Sequence, residues 1–73
     1  MRKHEKELIR RHDLMLKMQK EVFPVLNSRQ IMELWGVNST STVTYTMRIF
    51  VKRGWCIASP TISKQQYHAI PRS

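Results

Sequence analysis

One half of a helical wheel drawn from the start of the chain collects Leu8, Ile9, His12, Met15, Leu16, Gln19, Val22 and Phe23, while Arg10, Lys17 and Lys20 fall opposite. This predicts an amphipathic helix over about 3–23, with Leu14 left on its polar side and Pro24 closing it. Asn27-Ser28-Arg29-Gln30 then places a capping residue three positions before Gln, the spacing that satisfies two orphan backbone donors reciprocally. A second helix is expected over 28–35, with Ile31, Leu34 and Trp35 inward, Leu26 and Ile31 as a hydrophobic staple, and Gly36 as the stop. Beyond Val37 and Asn38, the run Ser39-Thr40-Ser41-Thr42 leads into Val43, Met47, Phe50 and Val51, which share one helical face.

The β-branched content of this third segment argues against a helix, and Thr40 to Tyr45 alone reads as a strand. The apolar period of three to four and the Lys52-Arg53-Gly54 ending favour a helix over 40–53. Trp55 to Ala58 is short and apolar, Ser59-Pro60-Thr61 is turn chemistry, and Gln66 to Ile70 alternates polar and apolar residues before Pro71. Together they predict a β-hairpin over about 55–70. The fold class is therefore mainly α with a small β-hairpin, a three-helix winged helix-turn-helix. Residues 1–73 are read as one domain, because a chain of this length buries only about 60–65% of its unfolded surface and cannot split that core. The expected core is Leu8, Met15, Val22, Ile31, Leu34, Val43, Met47, Phe50 and Ile57.

In a helix-turn-helix the second helix of the pair enters the major groove. With Val43, Met47 and Phe50 spent on the interior, Ser39, Ser41, Thr44, Tyr45, Arg48 and Lys52 face outward and Thr42 sits at the margin. Small hydroxyl side chains let a backbone approach, bond phosphate or base edges, and offer methyls to thymine; Arg48 suits guanine or phosphate. Lys64, at the hairpin tip, is the candidate phosphate contact of the wing. The bland alternatives are that the hydroxyls, Ser39 above all, are only caps, and that Arg48, Lys52 and Arg53 only complement the helix dipole.

Charge sharpens the picture. Lys and Arg number 13 against 5 Asp and Glu, and all five acids lie in the first 33 residues. From Leu34 onward Arg48, Lys52, Arg53, Lys64 and Arg72 have no acid beside them in sequence, which points to a polyanionic partner. Cys56, the only cysteine, sits in an apolar stretch and is expected to be a buried structural thiol in a reducing compartment. The first segment lacks the apolar core of a signal peptide and no run is long enough to span a membrane, so a cytoplasmic protein is expected. His4, His12, His68 and Cys56 lack metal-ligand spacing, and no phosphate loop, nucleophile elbow or dinucleotide fingerprint occurs. No enzyme activity, cofactor, metal or small-molecule substrate is expected.

The run from Leu26 to Val43, continuing to Met47, Phe50 and Lys52-Arg53-Gly54-Trp55, resembles the DNA-binding domain of LexA-type repressors. Arg29, Ile31, Glu33 and Gly36 match that family's first helix of the pair, Ser39, Ser41, Thr42 and Val43 its recognition helix, and Gly54 its entry to the wing. The resemblance implies double-stranded DNA as partner, contacted by Ser39, Ser41, Thr42, Thr44 and Tyr45, in transcriptional regulation. Nothing here supplies the family's self-cleaving peptidase and dimerisation domain, so neither property carries over. Tight specificity from so small a module calls for a homodimer or a larger protein partner, since it would bury only about 600–1,000 Å² on DNA. The rival reading is a winged-helix adaptor or antirepressor that docks on protein, dependent on apolar surface such as Leu14 and Ile49. RNA binding is a third.

Overall fold

The computed structural model describes residues 3–60 and 65–72. Its elements run α1 (Lys3–Glu21), β1 (Leu26–Asn27), α2 (Ser28–Trp35), α3 (Thr40–Arg53), β2 (Cys56–Pro60) and β3 (Gln65–Ala69). The strands form an antiparallel sheet in the order β1-β3-β2. A mainly helical chain with this small sheet is compatible with the winged helix-turn-helix layout.

Local chemistry explains the helix ends. The Asn27 side chain accepts from the Gln30 N–H at 2.9 Å, and the Gln30 side chain accepts from the Asn27 N–H at 2.9 Å, the reciprocal box expected. Gly36 and Gly54 both adopt left-handed backbone, at φ 69° and 76°. In each case the glycine and its successor donate back into the last turn. Gly36 and Val37 reach the Glu33 and Met32 carbonyls, and Gly54 and Trp55 reach those of Val51 and Phe50. This closes the helix with its carbonyls satisfied, at a backbone angle an L side chain resists.

Leu8, Met15, Leu26, Ile31, Trp35, Val43, Met47, Phe50, Cys56, Tyr67 and Ala69 form the core. Phe50 stands at its centre, with its ring 5.3 Å from that of His12, 6.1 Å from Trp35 and 5.7 Å from Trp55. Several sequence expectations need correction. Val22 is 57% exposed because α1 stops at Glu21 and leaves it, with Phe23, outside the helix. Ile57 is 51% exposed: the pairs Cys56↔Ala69 and Ala58↔Tyr67 face inward, so the pleat turns Ile57 and His68 outward. Val51 is 45% exposed, since it lies about 100° around the helix from Phe50. Leu14 and Ile49, expected on the surface, are part-buried and pack on the core. The strand β1 was not foreseen; Leu26, expected only as a staple, pairs with Tyr67 and is fully buried.

Among the described residues no buried side-chain nitrogen or oxygen lacks a hydrogen-bond partner. Gln19 acts as a surrogate strand, accepting from the Ala69 N–H at 2.6 Å and donating to the Ala69 carbonyl at 3.1 Å. Arg11 donates to the buried Thr46 hydroxyl at 3.0 Å and lies over the Trp35 ring, so α1 is pinned to both later helices. The Cys56 thiol lies 3.9 Å from the Met47 sulfur, and burial pushes its pKa up to about 11. A thiol held neutral and covered is inert. Iodoacetamide at pH 8 is therefore expected to leave native Cys56 unmodified over hours and to label it fully in urea, as read by mass spectrometry. Rapid labelling of the native chain would show the site to be open.

His12 is fully buried between Phe50 and Trp55 with both ring nitrogens engaged. Arg72 Nη1 can only donate, so His12 Nδ1 accepts from it at 2.6 Å, and the proton on Nε2 is donated to the Trp55 carbonyl at 2.7 Å. Arg72 also meets Asp13 at 2.7 Å. Burial holds the His12 pKa below the ordinary imidazole value of 6.5, the Trp55 carbonyl opposes that shift, and the Arg72 charge adds to it. The unfolded chain therefore takes up a proton that the folded one refuses. This contribution to stability is complete above about pH 6.5 and falls as the pH drops through the window below it. The urea midpoint is expected to decline from pH 7 to pH 5.5 in the parent and to stay flat over that range in His12→Gln. Glu5 and Glu7, held below their ordinary 4.5 by hydrogen bonds from Arg53 and Arg10, affect stability only in more acid solution.

Candidate nucleic-acid interface

The outward face of α3 follows from its inward one. Val43, Met47 and Phe50, joined by the buried Thr46, occupy the core side over two turns. Ser41, Thr44, Tyr45, Arg48 and Lys52 are exposed on the other side, Tyr45 at 59%, while Thr42 is half-buried at the margin. Ser39 is exposed and caps the helix, its hydroxyl accepting from the Ser41 N–H at 3.2 Å. That side chain is already committed to the cap, although the first-turn backbone donors beside it still face outward.

Two depressions meet along this face. One is lined by Thr40, Ser41, Thr44, Tyr45 and Arg48. The other runs between α3 and the sheet, lined by Thr44, Met47, Arg48, Val51, Lys52, Ala58 and Tyr67. Thr44 and Arg48 belong to both, so the hydroxyls of Thr40, Ser41 and Thr44, the phenols of Tyr45 and Tyr67 and the cations Arg48 and Lys52 adjoin from the first turn of α3 to the sheet, together with the apolar Met47, Val51 and Ala58. Among the described residues no Asp or Glu lines either depression. Lys64, the candidate wing contact, lies outside the described residues.

The geometry also changes the charge picture drawn from sequence. Arg53 is not unopposed: its guanidinium donates to the Glu5 carboxylate, at 3.0 Å through Nη1, and lies over the Trp55 ring. Arg72 is likewise taken up by Asp13, His12 and Trp55. On α3 this leaves Arg48 and Lys52 as the cations without an ion pair among the described residues.

Two contributors were missed in the sequence. Thr40 lines the first depression, and its place one turn before Thr44 was the available signal. Thr46 sits three positions after Val43 and four before Phe50, a spacing that marks an inward position whatever the side chain. Its hydrogen bond from Arg11, together with the Glu5–Arg53 pair, sets how α3 is held against α1. No spacing within the sequence announces pairings so far apart.

Among the described residues no three or more His, Cys, Asp or Glu side chains come together to hold a metal ion, and no helix is long and apolar enough to cross a membrane. No family model, curated protein or solved structure matches the chain.

Proposed function

We propose that this chain binds double-stranded DNA sequence-specifically in transcriptional regulation, with α3 in the major groove, and that it is related to LexA-type DNA-binding domains. One observation carries the proposal: α3 buries Val43, Thr46, Met47 and Phe50 and thereby holds Ser41, Thr44, Tyr45, Arg48 and Lys52 outward along two depressions that no carboxylate of the described residues lines. Hydroxyls at the helix start and cations toward its end suit base edges and flanking phosphates respectively. The β2–β3 hairpin would lie along the backbone as a wing, with Lys64 as its phosphate contact. No catalytic, metal or cofactor role is part of this reading.

The test is selection of bound duplexes from a random pool, run on the parent and on Tyr45→Ala. The parent should enrich one motif, and the variant should bind it more weakly and tolerate changes at one or two of its positions. Absence of enrichment at moderate salt would remove the proposal.

A protein-docking adaptor is favoured by a different surface. Val22, Phe23 and Val25 are exposed together where α1 passes into β1, beside a groove lined by Met18, Phe23, Leu26, Gln30, Glu33 and Leu34. If docking on protein is the role, Phe23→Ser with Val25→Ser abolishes it and leaves duplex binding untouched.

A further inference from the structure

We infer that α1 carries a second, sequence-independent site for duplex DNA, so that one domain can hold two duplex segments on opposite sides of its core. The inference rests on the α3 reading above for its first duplex. Along α1 the exposed positions Lys3, Lys6, Arg10, Asp13, Lys17 and Lys20 recur at alternating steps of three and four. That spacing confines them to one stripe about 100° wide and about 25 Å long, opposite Leu8, His12 and Met15.

Along this ridge the negative charges are largely spent on other partners. Asp13 is bound by Arg72 at 2.7 Å, and Glu7 holds Arg10 and Arg11. Lys3, Lys6, Lys17 and Lys20 have no ion pair among the described residues, and Glu21 at the far end is the one acid left over on this helix. On α1 the arginines Arg10 and Arg11 are engaged by Glu7, whereas the four ridge lysines are left to solvent. Two pairs of free ammonium groups on one helix, Lys3 with Lys6 and Lys17 with Lys20, about 16 Å apart, match the demand of a phosphate backbone, which needs charge and no base-reading geometry.

The direction of the ridge decides between one duplex and two. α1 and α3 meet through their apolar sides, with the His12 and Phe50 rings 5.3 Å apart between them. Their outward faces therefore look away from one another, and a duplex seated on Tyr45 and Arg48 does not reach Lys17 and Lys20. A membrane is a poor alternative occupant, because insertion needs the apolar face of α1 and that face is buried in the core.

The experiment uses the full chain, a bead-tethered duplex carrying the selected motif and a fluorescent duplex of random sequence in solution. The parent should capture the fluorescent duplex on the beads. A fourfold variant, Lys3→Gln, Lys6→Gln, Lys17→Gln and Lys20→Gln, checked for unchanged helicity, should lose about tenfold or more of that capture. Its affinity for the tethered motif, measured alone by anisotropy, should stay within about threefold of the parent. The matching fourfold Lys→Arg variant should restore capture. Undiminished capture by the Gln variant would overturn the inference, since bridging would then come from two α3 faces of a dimer. Parallel loss of capture and motif affinity would overturn it too, because the ridge would be touching the same duplex. Motif binding without any capture by the parent defeats this inference alone; no motif binding at all defeats the α3 reading.

Discussion

Phe50→Ala is expected to cost about 3–5 kcal/mol, from about a third to all of the stability of a 73-residue domain, which is on the order of 4–10 kcal/mol. Its ring is the shared neighbour of His12 on α1, Trp35 on α2 and Trp55 at the entry to the hairpin. Truncation opens a cavity where three elements meet, and none can close it without dragging its own buried partners. The effect should be read by urea unfolding, followed by circular dichroism and by the fluorescence of Trp35 and Trp55. Val51→Ala, one position along the same helix but 45% exposed, is the matched control and should cost less than about 1 kcal/mol. Similar midpoints for the two variants would mean that Phe50 does not organise the core, and the outward placement of Tyr45 and Arg48 would lose its basis.

Why some elements were legible and others were not follows from the range of the interactions that make them. The start of α2 and the ends of α2 and α3 are written in residues within one turn of each other: Asn27 with Gln30, Gly36 with Met32 and Glu33, Gly54 with Phe50 and Val51. A sequence carries such signals directly. The strand β1 is different, because two residues become a strand only by pairing with Tyr67 and Gln66, about forty positions away. The same dependence undid Ile57. It is the most apolar residue of its strand, but its face is set by the register with His68, and that register puts the smaller Cys56 and Ala58 inside.

The outward face of α3 was legible for the same local reason. Once Val43, Met47 and Phe50 are inward, helical geometry fixes where Thr44, Tyr45, Arg48 and Lys52 go. The effective charge of that face was not legible, because it depends on which cations are already engaged. Counting residues gives Arg53 and Lys52 equal weight, whereas the fold commits Arg53 to Glu5 and Trp55 and leaves Lys52 free. A composition therefore overstates the charge available to a polyanion, and the difference is measurable.

Replacing Arg48 with alanine should weaken binding of the selected duplex by about 1–3 kcal/mol, roughly five- to 150-fold, if its guanidinium meets a guanine edge or a phosphate. The two cases separate by salt. Loss of a phosphate contact weakens all duplexes alike and makes the log–log salt slope shallower by about 0.9, whereas loss of a base contact also relaxes preference at one position of the motif. Lys52→Ala, at the sheet end of the cleft, should behave as a phosphate contact. Arg53→Ala provides the contrast. Its guanidinium is already held by a carboxylate and an aromatic face, so its removal should leave the slope unchanged even though the three residues contribute equal formal charge. Equal slope changes for Arg48, Lys52 and Arg53 would mean that DNA responds only to net charge. In that event the hydroxyl-rich face between Ser41 and Lys52 would not be the surface that a duplex meets.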